Sequence, residues 1–234
     1  LSDWRSQSTH LDGEDLWAGP HQIDYLQHNI TAGEGFDWYY ASPSDRESQT
    51  RTPITDGAYS KPWVWRFKDL RGWWENAHVA RVGGVELSSP TDWVPEGKQI
   101  YFTELGFPAV DNATNQPNSF IDGKSSESTL PYFSNGRRDD FQQRQALQAV
   151  LDYWDRSLNA APESANPMSS VYGAPMVAHD RIYLWTWDAR PYPAFPQLTD
   201  VWSDGANWQL GHWLNGRLGA APIADLVSAL LTDI

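Results

Sequence analysis

Ile100-Tyr101-Phe102-Thr103-Glu104-Leu105-Gly106-Phe107-Pro108 (IYFTELGFP) is the stretch on which the reading of the fold turns. Ile100–Thr103 is apolar and β-prone, the strongest strand signal in the chain. It carries a carboxylate, Glu104, to its tip, and Gly106 and Pro108 then turn the chain away. A second strand is expected at Arg181–Trp187 (RIYLWTW), stopped by Asp188, Arg190 and Pro191. Between the two lie an irregular segment, Leu105–Arg138, and a helix at Asp139–Leu158. Leu147, Leu151, Trp154 and Leu158 share one face of that helix. An irregular loop of this length within a domain is usually functional or disordered. A closing helix is expected at Pro222–Ile234. Strands alternating with amphipathic helices imply an α/β fold with parallel packing. In a (β/α)8 barrel the chemistry sits at the C-terminal ends of the strands. Glu104 stands at such an end, and so do Trp187, Asp188 and Arg190.

Upstream the signals weaken. Pro20–Ile30 has helical spacing, with Ile23, Leu26 and Ile30 on one face. A short helix is expected within Asp37–Arg51, capped by Ser42 or Ser44. Pro62–Trp74 reads both ways: Val64–Phe67 is strand-like, while Trp63, Phe67, Leu70 and Trp74 have helical spacing. Residues 77–97 read as loop and 159–177 as linker. No internal repeat and no second core are evident, so residues 1–234 read as one domain.

Composition narrows the function. The net charge is -13, from 17 basic and 30 acidic residues, which argues against a nucleic acid partner. No cysteine is present, which removes disulfides, thiolate metal sites and a cysteine nucleophile. No apolar run reaches the roughly 18 residues of a membrane span, so no membrane insertion is expected. The six histidines show no metal-ligand spacing, and nothing calls for a cofactor or a metal. The 14 tryptophans stand out. Indole faces build cores, and they also stack on the C–H faces of sugar rings.

Several longer motifs then carry a resemblance. YFTELGFPAVD, NQPN, KSSES, LPYFSNGRRDD, YLWTWDARPYPAFP, KPWVWRFKDL and DGANWQLGHWLNGRLG resemble the TIM-barrel-like domain of phage-tail and gene transfer agent proteins. That domain is similar to glycoside hydrolases, and more distantly to retaining β-mannanase-like barrels. The resemblance implies a (β/α)8 TIM-barrel-like fold, with Glu104 as the nucleophile ending strand seven. Trp185 or Trp187 would be the sugar-stacking tryptophan of strand eight. It further implies that this chain is the C-terminal portion of a barrel, with the acid/base residue upstream of Leu1. The expected partners are a cell-surface glycan and other tail proteins or the rest of its own chain. The expected place of action is a phage-like tail particle at the bacterial surface.

Each candidate residue has a plainer alternative. Glu104 suits a retaining nucleophile or an ion pair with Arg137, Arg138 or Arg190. Trp185 and Trp187 suit sugar stacking or core. Asp188 and Arg190 suit hydroxyl recognition or pairing with each other. Arg137 suits an acidic group at the barrel mouth or a surface pair. Asn115, in NQPN, offers an amide to hydroxyls or simply helps form a turn. Glu34 and Asp37, in GEGFDWYY, suit a binding loop.

Overall fold

The computed structural model describes residues 1–6, 17–119, 128–184 and 193–202. The described chain begins its regular structure with helix α1 (Ile23–His28), strand β1 (Trp38–Tyr39), helix α2 (Pro43–Ser48) and strand β2 (Thr52–Pro53). Helix α3 (Leu70–Glu75), strands β3 (Arg81–Val82) and β4 (Val85–Glu86), and strand β5 (Ile100–Leu105) follow. Helix α4 (Asp140–Trp154), strand β6 (Val177–Leu184) and a single turn, α5 (Ala194–Gln197), complete it. Among the described residues the strands form three two-stranded sheets, β1–β2, β3–β4 and β5–β6, and no closed barrel.

The two strands expected from the sequence do pair. Ile100 N, at the start of β5, donates to Met176 O, just before β6, at 2.7 Å. The strands therefore begin side by side, and α4 lies between them in the chain, as in a helical crossover. β6 starts four residues earlier than its apolar pattern implies, at Val177, because the buried Val177 and Ala178 belong to it.

The chain divides into two compact units. The first comprises residues 1–26, 104–149 and 184–234. Its core contains Trp4, Tyr25, Leu26, Phe107, Val110, Ala113 and Ala146. Trp4 meets Tyr25 edge-on at 5.8 Å. Gln142 is fully buried, and its Nε2 donates to Pro20 O at 3.0 Å and to Thr114 Oγ1 at 3.3 Å.

The second unit comprises residues 27–103 and 150–183. Trp74 is 1% exposed, and its Nε1 donates to Lys98 O at 2.8 Å. Trp154 stands edge-on to Phe102 at 5.9 Å, seating the end of α4 on β5. Lys68 Nζ reaches Asn29 O and Ala32 O, each at 2.7 Å, and closes the loop after α1. The segment read as linker is in fact packed. Within it Asn166 is 2% exposed, Ser169 4% and Met176 fully buried.

Three further expectations change. Residues 77–97 hold a hairpin, with Gly83 (φ 59°) and Gly84 (φ 82°) supplying the left-handed turn between Val82 and Val85. The ambiguous 62–74 segment is a single 3-10 turn, Pro62–Val64, followed by α3, which Asp69 caps through Gly72 N at 2.8 Å. The buried stripe of α4 is Gln142, Ala146, Ala149, Val150, Tyr153 and Trp154, rotated from the expected leucine face. Small alanines let neighbouring backbone come close, and the helix ends at Trp154, so Leu158 lies beyond it and is 54% exposed. The helix expected at Pro222–Ile234 lies outside the described residues.

Asn166 joins these parts. Its Nδ2 donates to Trp154 O at 2.9 Å and Val177 O at 3.0 Å, and its Oδ1 accepts from Val177 N at 2.8 Å. Asn166→Ala leaves three buried backbone groups unpaired. It should cost about 2–3 kcal/mol in urea unfolding, and a loss under about 0.5 kcal/mol would show that water replaces the amide.

Candidate functional site

Glu104 is the fifth of the six residues of β5 and is exposed. Among the described residues no hydrogen bond or ion pair reaches its carboxylate. The pairing partners considered for it are otherwise placed. Arg138 Nε donates to both oxygens of Asp140 at 2.9 Å. Arg137 is exposed, and its guanidinium makes no ion pair among the described residues. Arg190 lies outside the described residues, as do Trp185, Trp187 and Asp188.

Strand pleating adds a constraint. Alternation puts Ile100, Phe102 and Glu104 on one face of β5, and Tyr101 and Thr103 on the other. Phe102 meets Trp154 of α4, so Glu104 shares the parity of the helix-covered face. It is nevertheless exposed, which breaks the in–out burial pattern at this residue. Tyr101 and Tyr183, on β5 and β6, are 53% and 51% exposed.

Beyond β5 the family-like motifs are held together by two side chains. Asp111 accepts from Ser134 Oγ at 2.8 Å, Asn135 N at 2.9 Å and Arg137 N at 2.9 Å. It thereby folds the SNGR turn, in which Gly136 has φ 79°. Asn115 Nδ2 donates to Trp4 O at 2.8 Å and Tyr132 O at 2.9 Å. Its Oδ1 accepts from Trp4 N at 2.9 Å and from Ser2 Oγ. All of that amide's donors are used within the chain, so Asn115 has no N–H left for a sugar hydroxyl.

Glu34 and Asp37 are likewise committed. Glu34 takes both guanidinium nitrogens of Arg46, and Asp37 accepts from Gly33 N at 2.8 Å. Gly35 has φ 82°, and a Cβ there would run into the Phe67 ring. The GEGFDWYY stretch is thus a self-bonded turn. A second charged cluster braces the hairpin: Arg81 bonds Asp56 at 2.7 Å and Glu86 at 2.9 Å, and Lys61 bonds Glu86 at 2.6 Å. The Arg81 bond holds Asp56 below its ordinary range.

Sequence reasoning missed a histidine–carboxylate pair. His21 Nε2 lies 2.6 Å from Asp139 Oδ2, and His21 stacks on Phe141 at 5.3 Å. Asp139 also caps α4, accepting from Gln142 N at 2.8 Å. Asp139 opens the helix expected at 139–158, and no local spacing links it to a histidine 118 residues away. Burial pushes the Asp139 carboxyl up, but the bonds from His21 and Gln142 N outweigh it, and it sits below its ordinary value of 3.8. A carboxyl lowered on folding stabilises the fold above that value, and the contribution is lost as pH falls through the folded-state value. Asp139→Ala should therefore cost about 1 kcal/mol at neutral pH and flatten the acid limb of the stability–pH curve. An unchanged acid limb would show that Asp139 titrates alike in both states.

None of the curated proteins compared with this chain matches it. The family model described as the GTA TIM-barrel-like domain matches residues 1–196, which include β5, α4 and β6, while the DGANWQLGHWLNGRLG motif at 204–219 lies beyond the match. The chain therefore belongs to the gene transfer agent TIM-barrel-like domain family.

Proposed function

We propose that this chain is a glycoside hydrolase-like module of a gene transfer agent or phage-like tail particle. It would cleave glycosidic bonds of cell-surface polysaccharide or peptidoglycan glycan, with Glu104 as the nucleophile of a retaining mechanism. The observation that carries this reading is the Glu104 carboxylate: exposed near the end of β5 and bonded to no other described residue. Among the described residues, the arginines of the SNGRR turn make no bond to it. Bridging functions in this loop fall to Asp111 and Asn115 instead.

In the retaining reaction one Glu104 oxygen attacks the anomeric carbon as the bond to the leaving oxygen breaks. A second carboxyl, about 5 Å away, protonates that oxygen. Water, deprotonated by the same group, then attacks the glycosyl ester and releases Glu104. No residue of this chain is assigned the acid/base role. Trp185, Trp187, Asp188 and Arg190 are proposed as substrate contacts, together with Arg137, whose exposed guanidinium is available to hydroxyls.

A second reading has its own support. The pleat gives Glu104 the parity of Phe102, which faces α4. On that reading the domain binds glycan or builds the particle without cleaving. The two separate on reducing-end release from bacterial surface glycans and β-mannan by the intact protein. Glu104→Gln should lower the rate by at least about 1,000-fold while unfolding at the same urea concentration as the unaltered protein. Equal rates in both proteins would remove Glu104 from catalysis. Glycan binding without release by either would establish the second reading.

A further inference from the structure

The second unit contains a half-open cavity that plays no part in the proposed Glu104 chemistry. It has a volume of about 380 Å³ and is lined by Asp92, Trp93, Val94, Gly97 and Lys98. Its size lies in the range of small-molecule sites. The lining residue Trp93 is backed by other rings: it lies parallel to His78 at 5.2 Å, 7° from coplanar, and Trp73 leans on both, 4.6 Å from Trp93 and 4.7 Å from His78. His78 Nε2 is bonded to Trp73 O at 2.7 Å, so the stack is held in place by its own backbone.

The loop carrying the cavity is pinned on several sides. Thr91 N donates to His78 O at 2.8 Å, and Glu96 N to Trp74 O at 2.9 Å. Lys98 O accepts from the buried Trp74 Nε1. Glu96 O and its carboxylate accept from Ser169 and Ser170 at 2.7–2.9 Å. These ties hold Glu96 in a left-handed conformation, φ 57°, in the Val94–Gly97 turn. A non-glycine residue kept there costs energy and persists only when its surroundings over-determine it. The cavity is thus preorganised rather than a gap between loose loops.

Its polar groups are uncommitted. The Asp92 carboxylate and the Lys98 ammonium are exposed and make no hydrogen bond or ion pair with any described residue. The Trp93 Nε1 donor is buried without a partner among the described residues. An indole wall, one free acceptor and one free donor together match a ring with an apolar C–H face and a rim of hydroxyls. An anion would meet Asp92 and a chain of net charge -13, and a cation would meet Lys98.

We propose that the cavity formed by Asp92, Trp93 and Lys98 binds one neutral pyranose unit of a glycan. The ring stacks against the Trp93 side of the cavity, its hydroxyls donate to Asp92, and Lys98 donates to its oxygens. The site uses residues of the second unit alone and stands whether or not Glu104 is catalytic. It would give the domain a hold on the glycan separate from any cleavage.

The test titrates the intact protein with β-linked oligosaccharides of mannose, glucose and N-acetylglucosamine, by calorimetry and by ligand-observed NMR. At least one should bind saturably below about 10 mM. Asp92→Asn and Lys98→Gln, both surface changes, should each weaken it about tenfold. Trp93→Ala should weaken it further, and Trp93→Phe less than Ala. The proposal is overturned if no oligosaccharide binds, or if the Asp92 and Lys98 variants bind like the unaltered protein. It is also overturned if Glu104→Gln alone abolishes binding, which places the sugar at Glu104.

Discussion

The described chain has little regular ladder to satisfy its backbone, so a few side-chain amides and carboxylates take over that task, and Asn166 is the chief of them. One buried amide binds the last carbonyl of α4 and both backbone groups of Val177, the first residue of β6. Through it the helix end, the strand and the segment between them become one piece. β5 then starts beside β6, and Phe102 finds Trp154. Asn115 and Asp111 play the same part in the first unit, where they hold the 1–5 segment and the SNGR turn. A buried amide bonded on all sides costs more to remove than it contributes net, because its partners are left unpaired.

This division of labour bears on function. Most polar residues that knit the fold are bonded within the chain. Glu104, Arg137, Asp92 and Lys98, like Asp24 and Asp200, are exposed and their side chains make no bond among the described residues. The aromatic surplus divides in the same way. Trp74 and Trp154 are buried at 1% and 2%, whereas Trp73 is 44% exposed beside Trp93 and His78. Core packing accounts for the first pair and does not account for the second cluster.

Much of this was legible in the sequence where the signal was local. The IYFTEL strand, the Ser42 cap with Pro43 behind it, and the α4 helix starting at Asp139-Asp140 each follow from neighbouring residues. The family motifs carried the domain assignment. What escaped was set by distant partners. Asn115 and Asn166 look like turn residues until Trp4, Trp154 and Val177 are brought to them. The leucine stripe of α4 lost to an alanine and glutamine stripe because close backbone approach favours small side chains over large ones. The Asp92–Lys98 cavity arose in a stretch read as loop, where proline and glycine signalled irregularity but not the Trp74 and Ser169 ties that make it rigid. The pleat parity of Glu104 could be counted from the sequence, but which face the helix covers could not.

The most direct measurement is covalent trapping. The intact protein is incubated with a panel of activated fluorosugars, which form slowly hydrolysed glycosyl esters with retaining nucleophiles, and the labelled peptide is identified by mass spectrometry. A single sugar adduct on the peptide carrying Glu104, absent from Glu104→Gln, is the predicted result. An adduct on another carboxylate, or none while the unaltered protein still releases reducing ends, would contradict the assignment of Glu104 as nucleophile.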